Sequence, residues 1–159
     1  MSRREVIDGA VLVQPTPFPF HQRAARNLFR VLDRPCPRSL EVFTWLEFSP
    51  QETRTFVPDL LVVRRGAVPD ESPMTEPPVL IVEVIDDASR LWDRWVKPTA
   101  YARAGVEHYW HLDPRIPEFV AYRLVGDGYR EVVTARGDER VGFDVPMLVE
   151  ICPGRLARA

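Results

Sequence analysis

Apolar and polar positions change period several times along the chain, and each change predicts an element. Val6 to Val13 alternates around Asp8-Gly9, the pattern of a strand that turns back at that dipeptide. After a proline-rich stretch, Phe20 to Leu32 places His21, Ala25, Leu28 and Leu32 at helical spacing, with Arg23, Arg26, Arg30 and Arg34 on another face. That run predicts an amphipathic helix whose arginines form a solvated stripe. Strands are predicted over Leu40 to Phe48 and Arg54 to Val63, followed by a loop from Arg64 to Pro78 rich in proline and acids.

Val79 to Ile85 differs from the other strand candidates because both of its alternating faces are apolar, except at Glu83. A strand of that kind is covered on both sides and lies in the middle of a sheet. Asp86-Asp87-Ala88-Ser89 then sets acids at the positive end of a helix predicted to run to Ala104 and stop at Gly105. Pro98 interrupts it, which predicts a kink or two abutting helices near Lys97. Glu107 to Leu112 reads as a further strand, and Phe119 to Val125 with Tyr129 to Thr134 as a hairpin through Gly126-Asp127-Gly128. Val141 to Leu156 forms a mixed closing segment.

Composition narrows the class. The 159 residues suit one domain, residues 1–159, with enough chain to bury a core. Hydrophobic content of 45%, with no apolar run long enough to span a bilayer, predicts a protein without a membrane segment. The opening Met1-Ser2-Arg3-Arg4-Glu5 carries no secretory pattern, so a cytoplasmic location is expected. Cys36 and Cys152 match no metal spacing and are expected to be reduced. A formal net charge of -2 argues against a broad nonspecific nucleic-acid binder and leaves room for a local basic face.

Charge also singles out individual residues. Lys97 is the one lysine among twenty arginines, and an ammonium can lose its proton on burial and act on a water molecule where guanidinium cannot. Asp93 precedes it at i, i+4 spacing, which puts both on one helix face. Asp59 and Glu83 each interrupt an apolar strand, and a carboxylate buried without a partner costs several kcal/mol, roughly, so each needs a cation, a proton or a cleft. Pairing with arginine would satisfy that need structurally. Two carboxylates and a lysine converging at a sheet edge would instead suit a hard divalent ion and a phosphate. His108 and His111 lie three apart in a strand, point to opposite faces and share no metal.

Pro58-Asp59, Glu83-Val84-Ile85, then Ser89, Asp93 and Lys97, then Tyr101 through Pro114, together resemble the restriction-endonuclease family called Uma-two, of the PD-(D/E)xK nuclease superfamily. Ile7-Asp8-Gly9 and Pro19-Phe20-His21-Gln22 extend the resemblance over nearly the whole chain. It implies an α/β (α+β) restriction-endonuclease-like fold, a mixed central sheet flanked by helices, and metal-dependent hydrolysis of DNA phosphodiester bonds. Under it, Asp59 and Glu83 bind Mg2+ or Mn2+, with the Ile85 main-chain carbonyl as a further ligand. Lys97 positions or deprotonates the attacking water, and Asp93 supports it. Beside the resemblance, His21 is a candidate supporting residue, and Arg90 and Arg94 are candidate phosphate contacts. The superfamily's usual lysine two residues after the glutamate is replaced here by Ile85, and Lys97 supplies the ammonium from the next helix. Asp86 stands where the family commonly has serine. The partner implied is DNA, and double-strand cleavage implies a homodimer. The alternative is a catalytically degenerate nuclease-fold protein acting in nucleic-acid binding or assembly.

Overall fold

Val79 to Ile85 behaves as its pattern requires. In the computed structural model, which describes residues 3–159, strand β7 (Leu80–Val84) is buried along its whole length inside a six-stranded sheet. Met1 and Ser2, part of the stretch read for a leader, lie outside the described residues. The strand order is β10-β9-β8-β7-β6-β3, built from β3 (Leu40–Thr44), β6 (Leu60–Arg64), β7, β8 (His108–Asp113), β9 (Glu118–Val125) and β10 (Gly128–Arg136). The β7/β8 pair is parallel and the other pairs are antiparallel, so the sheet is mixed. A parallel pair needs a long crossover, and the helical segment ending in α2 (Lys97–Arg103) supplies it.

Period-two alternation sorts the side chains between the faces. Leu60, Val62, Leu80, Val82 and Val84 pack with Ala24, Leu28 and Leu32 of helix α1 (Pro19–Asp33). Leu61, Val63 and Ile81 pack on the other face with Tyr101, Phe48 and Phe56. This second face is covered by α2 and by a four-stranded sheet, β2-β1-β5-β4, comprising β1 (Arg3–Ile7), β2 (Ala10–Gln14), β4 (Phe48–Gln51) and β5 (Arg54–Phe56). A short pair, β11 (Val141–Phe143) with β12 (Val149–Ile151), and helix α3 (Pro153–Ala157) form the closing segment.

The hairpin turn lies at Asp8-Gly9, with φ of 51° and 82°, the left-handed pair a tight two-residue hairpin needs. Helix α1 buries His21, Leu28 and Leu32 as expected, with Ala24 rather than Ala25 completing the stripe, and Arg23, Arg26, Arg30 and Arg34 are exposed. Two expected strands are each broken. Leu40 to Phe48 divides at Trp45, whose φ of 56° swings the chain from the six-stranded sheet toward the smaller one. Arg54 to Val63 divides at Val57-Pro58-Asp59, where Pro58 has no N–H to give a ladder, and the chain crosses between the same two sheets.

The kink expected at Pro98 takes the form of a π-helical turn, Trp92–Val96, in which Lys97 N–H bonds the Trp92 carbonyl five residues back. Continuing that pattern would require an N–H at position 98 to bond the Asp93 carbonyl. Proline has none, and the Tyr109 hydroxyl donates to that carbonyl instead. Gly105, at φ 81°, ends α2 where a side chain would be strained. Cys36 and Cys152 are free thiols. Among the described residues no helix is long and apolar enough to cross a membrane.

Candidate functional site

Strand register brings Asp59 to Glu83. Leu61 faces Ile81 and Leu60 faces Val82, so one step further along the antiparallel pair sets Asp59 against Glu83 at the strand ends. Two bonds close the step: Asp59 N–H donates to Glu83 Oε2 at 3.4 Å, and Val84 N–H donates to Asp59 Oδ2 at 2.8 Å. Across the site, the π-helical turn directs Asp93 and Lys97 to the same place, one turn apart. Lys97 Nζ lies 3.1 Å from Glu83 Oε1 and 3.0 Å from Asp93 Oδ1. Asp59, Glu83, Asp93 and Lys97 therefore belong to one buried cluster.

Four further members carry little sequence signal. Glu5 of β1 is fully buried and places Oε2 3.0 Å from Lys97 Nζ, while its Oε1 accepts from Val57 N–H. Glu5 and Ile7 share the inward face of β1, so the acid at an inward position was a readable clue, though the partner was not. Gln14 donates to Glu5 and accepts from Arg3. Arg3 donates to Asp59 Oδ1 at 2.8 Å and lies over the Trp45 ring. Tyr101, whose hydroxyl is kept protonated by burial and by the negative charge of Glu83, donates to Glu83 Oε1 at 2.6 Å. His21 completes the cluster from α1, its Nε2 3.2 Å from Asp59 Oδ2.

The electrostatics set the charge states of the cluster. Burial alone would lower the Lys97 pKa, but the carboxylates of Glu83, Asp93 and Glu5 outweigh it and hold the ammonium well above the usual lysine range. In the metal-free cluster Lys97 is therefore held as a cation. Burial likewise opposes ionisation of Asp59, yet Arg3, His21 and the Val84 N–H hold it well below the usual carboxylate range. Glu83 goes the other way: burial, with Asp93 and Asp59 nearby, pushes it up to about 8 in spite of Lys97. Burial also raises Asp93. Asp59 raises the His21 pKa against the effect of burial.

Burial is the largest cause of the upward shifts, and neighbouring carboxylates add to it. Four buried acidic side chains, Glu5, Asp59, Glu83 and Asp93, meet two fixed cations, Arg3 and Lys97. With all four ionised the shortfall would equal the charge of one divalent ion, and in the metal-free cluster a proton held by Glu83 covers part of it. Among the described residues no three His, Cys, Asp or Glu side chains are placed to hold an ion together. Mg2+ does not require such a cage, since it binds through one or two carboxylates and keeps several waters. Two hard carboxylates in a cluster with more acids than fixed cations fit it.

Asp59 also lines a cleft of about 480 Å³, with His21, Gln22 and Arg26 of α1 on one side and Trp45 on the other. Trp45, a non-glycine residue at positive φ, marks the rim with strained backbone and gave no glycine or asparagine signal in the sequence. Ile85 follows β7 directly, and its N–H donates to the Leu112 carbonyl at 2.8 Å. Arg90 and Arg94 are engaged by acids rather than free: Arg90 pairs with Asp113 at 2.5 Å, and Arg94 lies 3.4 Å from Glu118 and 3.7 Å from Asp113. His108 and His111 are buried outside the cluster.

Comparison with known proteins bears on the fold and the family. A crystal structure described as a putative nuclease belonging to DUF820 from Anabaena variabilis superposes with a TM-score of 0.68, covering 90% of this chain and 81% of that one at 19% identity, a likeness of fold. No curated protein matches the chain. The model of the family described as "Uma2: Putative restriction endonuclease" matches residues 1–149, and the chain belongs to that family.

Proposed function

We propose that residues 1–159 act as one metal-dependent endonuclease that hydrolyses DNA phosphodiester bonds. The observation that carries this reading is the pair of facing strand-end carboxylates, Asp59 and Glu83, inside a cluster with more acids than fixed cations and bordering a cleft. Asp59 and Glu83 would hold Mg2+ or Mn2+, with the Ile85 carbonyl as a further oxygen, and the ion would supply Lewis-acid polarisation of the scissile phosphate. Lys97 fixes Glu83 Oε1, would position the attacking water and offsets negative charge as it grows in the transition state. Asp93 orients Lys97 from one turn earlier, and His21 steadies the second oxygen of Asp59. Arg26 at the cleft suits a phosphate of the bound strand, and Arg90 and Arg94 would reach DNA by exchanging their acidic partners for phosphate oxygens. Cutting both strands calls for two sites, hence a homodimer acting on DNA in the cytoplasm.

One observation favours a second reading, a nuclease-fold protein that binds nucleic acid or assembles without cleaving. The oxygens of Asp59 and Glu83 already accept from Arg3, His21, Val84, Lys97 and Tyr101. Supercoiled plasmid incubated with Mn2+ separates the two. Nicking or linearisation by the parent protein, absent in EDTA and in folded Glu83→Gln, supports the nuclease, and an unchanged plasmid with the parent supports the second reading.

A further inference from the structure

Helix α1 carries a charge pattern that the carboxylate cluster does not use. From Pro19 to Arg34 it holds Arg23, Arg26, Arg30 and Arg34 against a single acid, Asp33, in a chain whose formal net charge is -2. Their helical spacing puts the arginines in one stripe, opposite the buried stripe of His21, Ala24, Leu28 and Leu32. All four are exposed, and none has an ion pair among the described residues. Surface arginines elsewhere are matched with acids: Arg65 with Glu41, Arg123 with Glu107, Arg136 with Glu118 and Arg158 with Asp138. Like charges one helical turn apart repel, so the stripe weakens the helix that carries it unless an anion lies along it.

The stripe borders the site. Arg26 lines the Asp59 cleft beside His21 and Gln22. Arg23 stands about one turn before it and Arg30 about one turn after, so the three positions cover about 10 Å of helix. Phosphates recur about every 3.4 Å along one strand of a duplex, which makes that length about three of them. At the far end Arg34 shares a pocket with Asp144 and Glu150, and Asp33 lies one turn beyond Arg30, so acids bound the basic run there. A lipid surface is a poor partner, because the apolar face of α1 is spent on the protein core. We infer that Arg23, Arg26 and Arg30 form a track for the phosphate backbone of duplex DNA alongside the Asp59 cleft. The choice of DNA as the polyanion rests on the nuclease reading. Such a track neutralises phosphates and releases counterions without reading bases, so it positions the duplex and leaves its sequence unread.

The test is fluorescence anisotropy of a short labelled duplex titrated with metal-free protein, in EDTA, over a series of salt concentrations. The logarithm of the binding constant should fall linearly with the logarithm of salt, and alike for duplexes of unrelated sequence. Arg23→Gln, Arg26→Gln and Arg30→Gln should each reduce the slope by about 0.9, the value of one phosphate contact, and the triple variant by about three times that. All are exposed substitutions that leave folding intact, which circular dichroism checks. Arg130→Gln, on the exposed edge strand β10 at the other side of the six-stranded sheet from β6, should leave the slope unchanged. No binding at about 50 mM salt and about 100 µM protein overturns the inference. So does an unchanged slope in the triple variant, an equal change in Arg130→Gln, or tighter binding to phosphatidylserine vesicles than to the duplex. Plasmid nicking by the parent with an unchanged slope in the triple variant removes the track and leaves the nuclease, whereas the expected slopes without nicking do the reverse.

Discussion

Lys97→Met removes the ammonium and keeps much of the volume of its stem, so it isolates the charge. Nζ lies 3.0 Å from Glu5, 3.1 Å from Glu83 and 3.0 Å from Asp93, at a position with no solvent exposure. Taking one partner from a buried ionic group costs about 3–5 kcal/mol, because the charges left behind can find neither water nor a counterion. Arg3 is then the one fixed cation of the cluster, and it is bound to Asp59 rather than to the orphaned acids. Protonation of Glu83, already pushed up to about 8, relieves part of the loss at neutral pH. The loss relative to the parent should therefore grow above about pH 8, where Glu83 ionises in the parent but keeps its proton in the variant, by up to about 1.4 kcal/mol per unit. In urea, with a slope of about 2 kcal/mol/M, the midpoint should fall by about 1.5–2.5 M. Adding Glu5→Gln to Lys97→Met removes one orphaned charge and should recover more than about 1 kcal/mol relative to the sum of the single changes. The assay is urea unfolding by circular dichroism in EDTA at several pH values. A Lys97→Met protein within about 1 kcal/mol of the parent at every pH, or strict additivity with Glu5→Gln, refutes the reasoning.

Other consequences can be measured separately. Glu83 lies at about 8 in the folded protein against 4.5 unperturbed, so between those values the metal-free folded state holds a proton that the unfolded chain has lost; this group lowers stability as pH rises through that window. A divalent ion binding there must expel that proton, so affinity should rise with pH up to about 8, and calorimetry in two buffers of different ionisation enthalpy should register the release; a pH-independent affinity contradicts it. Arg3→Met uncovers Asp59 Oδ1 and removes a repelling cation, so Mn2+ should bind more tightly while the metal-free protein loses about 3–5 kcal/mol in urea titration. Tyr109→Phe strips the Asp93 carbonyl of its one substitute donor at the π-helical turn and should cost about 1–3 kcal/mol by the same assay.

The site's strand-borne half was legible because a lone acid in an apolar run is a local signal. Glu83 and Asp59 stood out for that reason, and i, i+4 spacing linked Asp93 to Lys97. The breaks at Trp45 and Pro58 were harder. Pro58 did carry its own warning against an unbroken strand, whereas Trp45 has a chemically ordinary side chain and adopts its positive φ only because two sheets meet there. Glu5, Arg3 and Gln14 reach the cluster through the pairing of β1 with β5, across about fifty residues of chain, and no local pattern encodes that distance. The direction of the Lys97 pKa depended on the same missing partner: with burial alone it would fall, and with three carboxylates it rises. Pro98 announced an interruption, but its π-helical form depends on Tyr109, a strand away.

The central claim is that a cluster of four acids and two cations is completed by one divalent ion at Asp59 and Glu83. Titration of metal-free protein with Mn2+, counting free Mn2+ by electron paramagnetic resonance, tests it most directly. One saturable ion per chain at submillimolar to millimolar Mn2+, lost in folded Glu83→Gln and Asp59→Asn proteins, is the expected result. Binding that does not saturate, or that survives both substitutions, contradicts it.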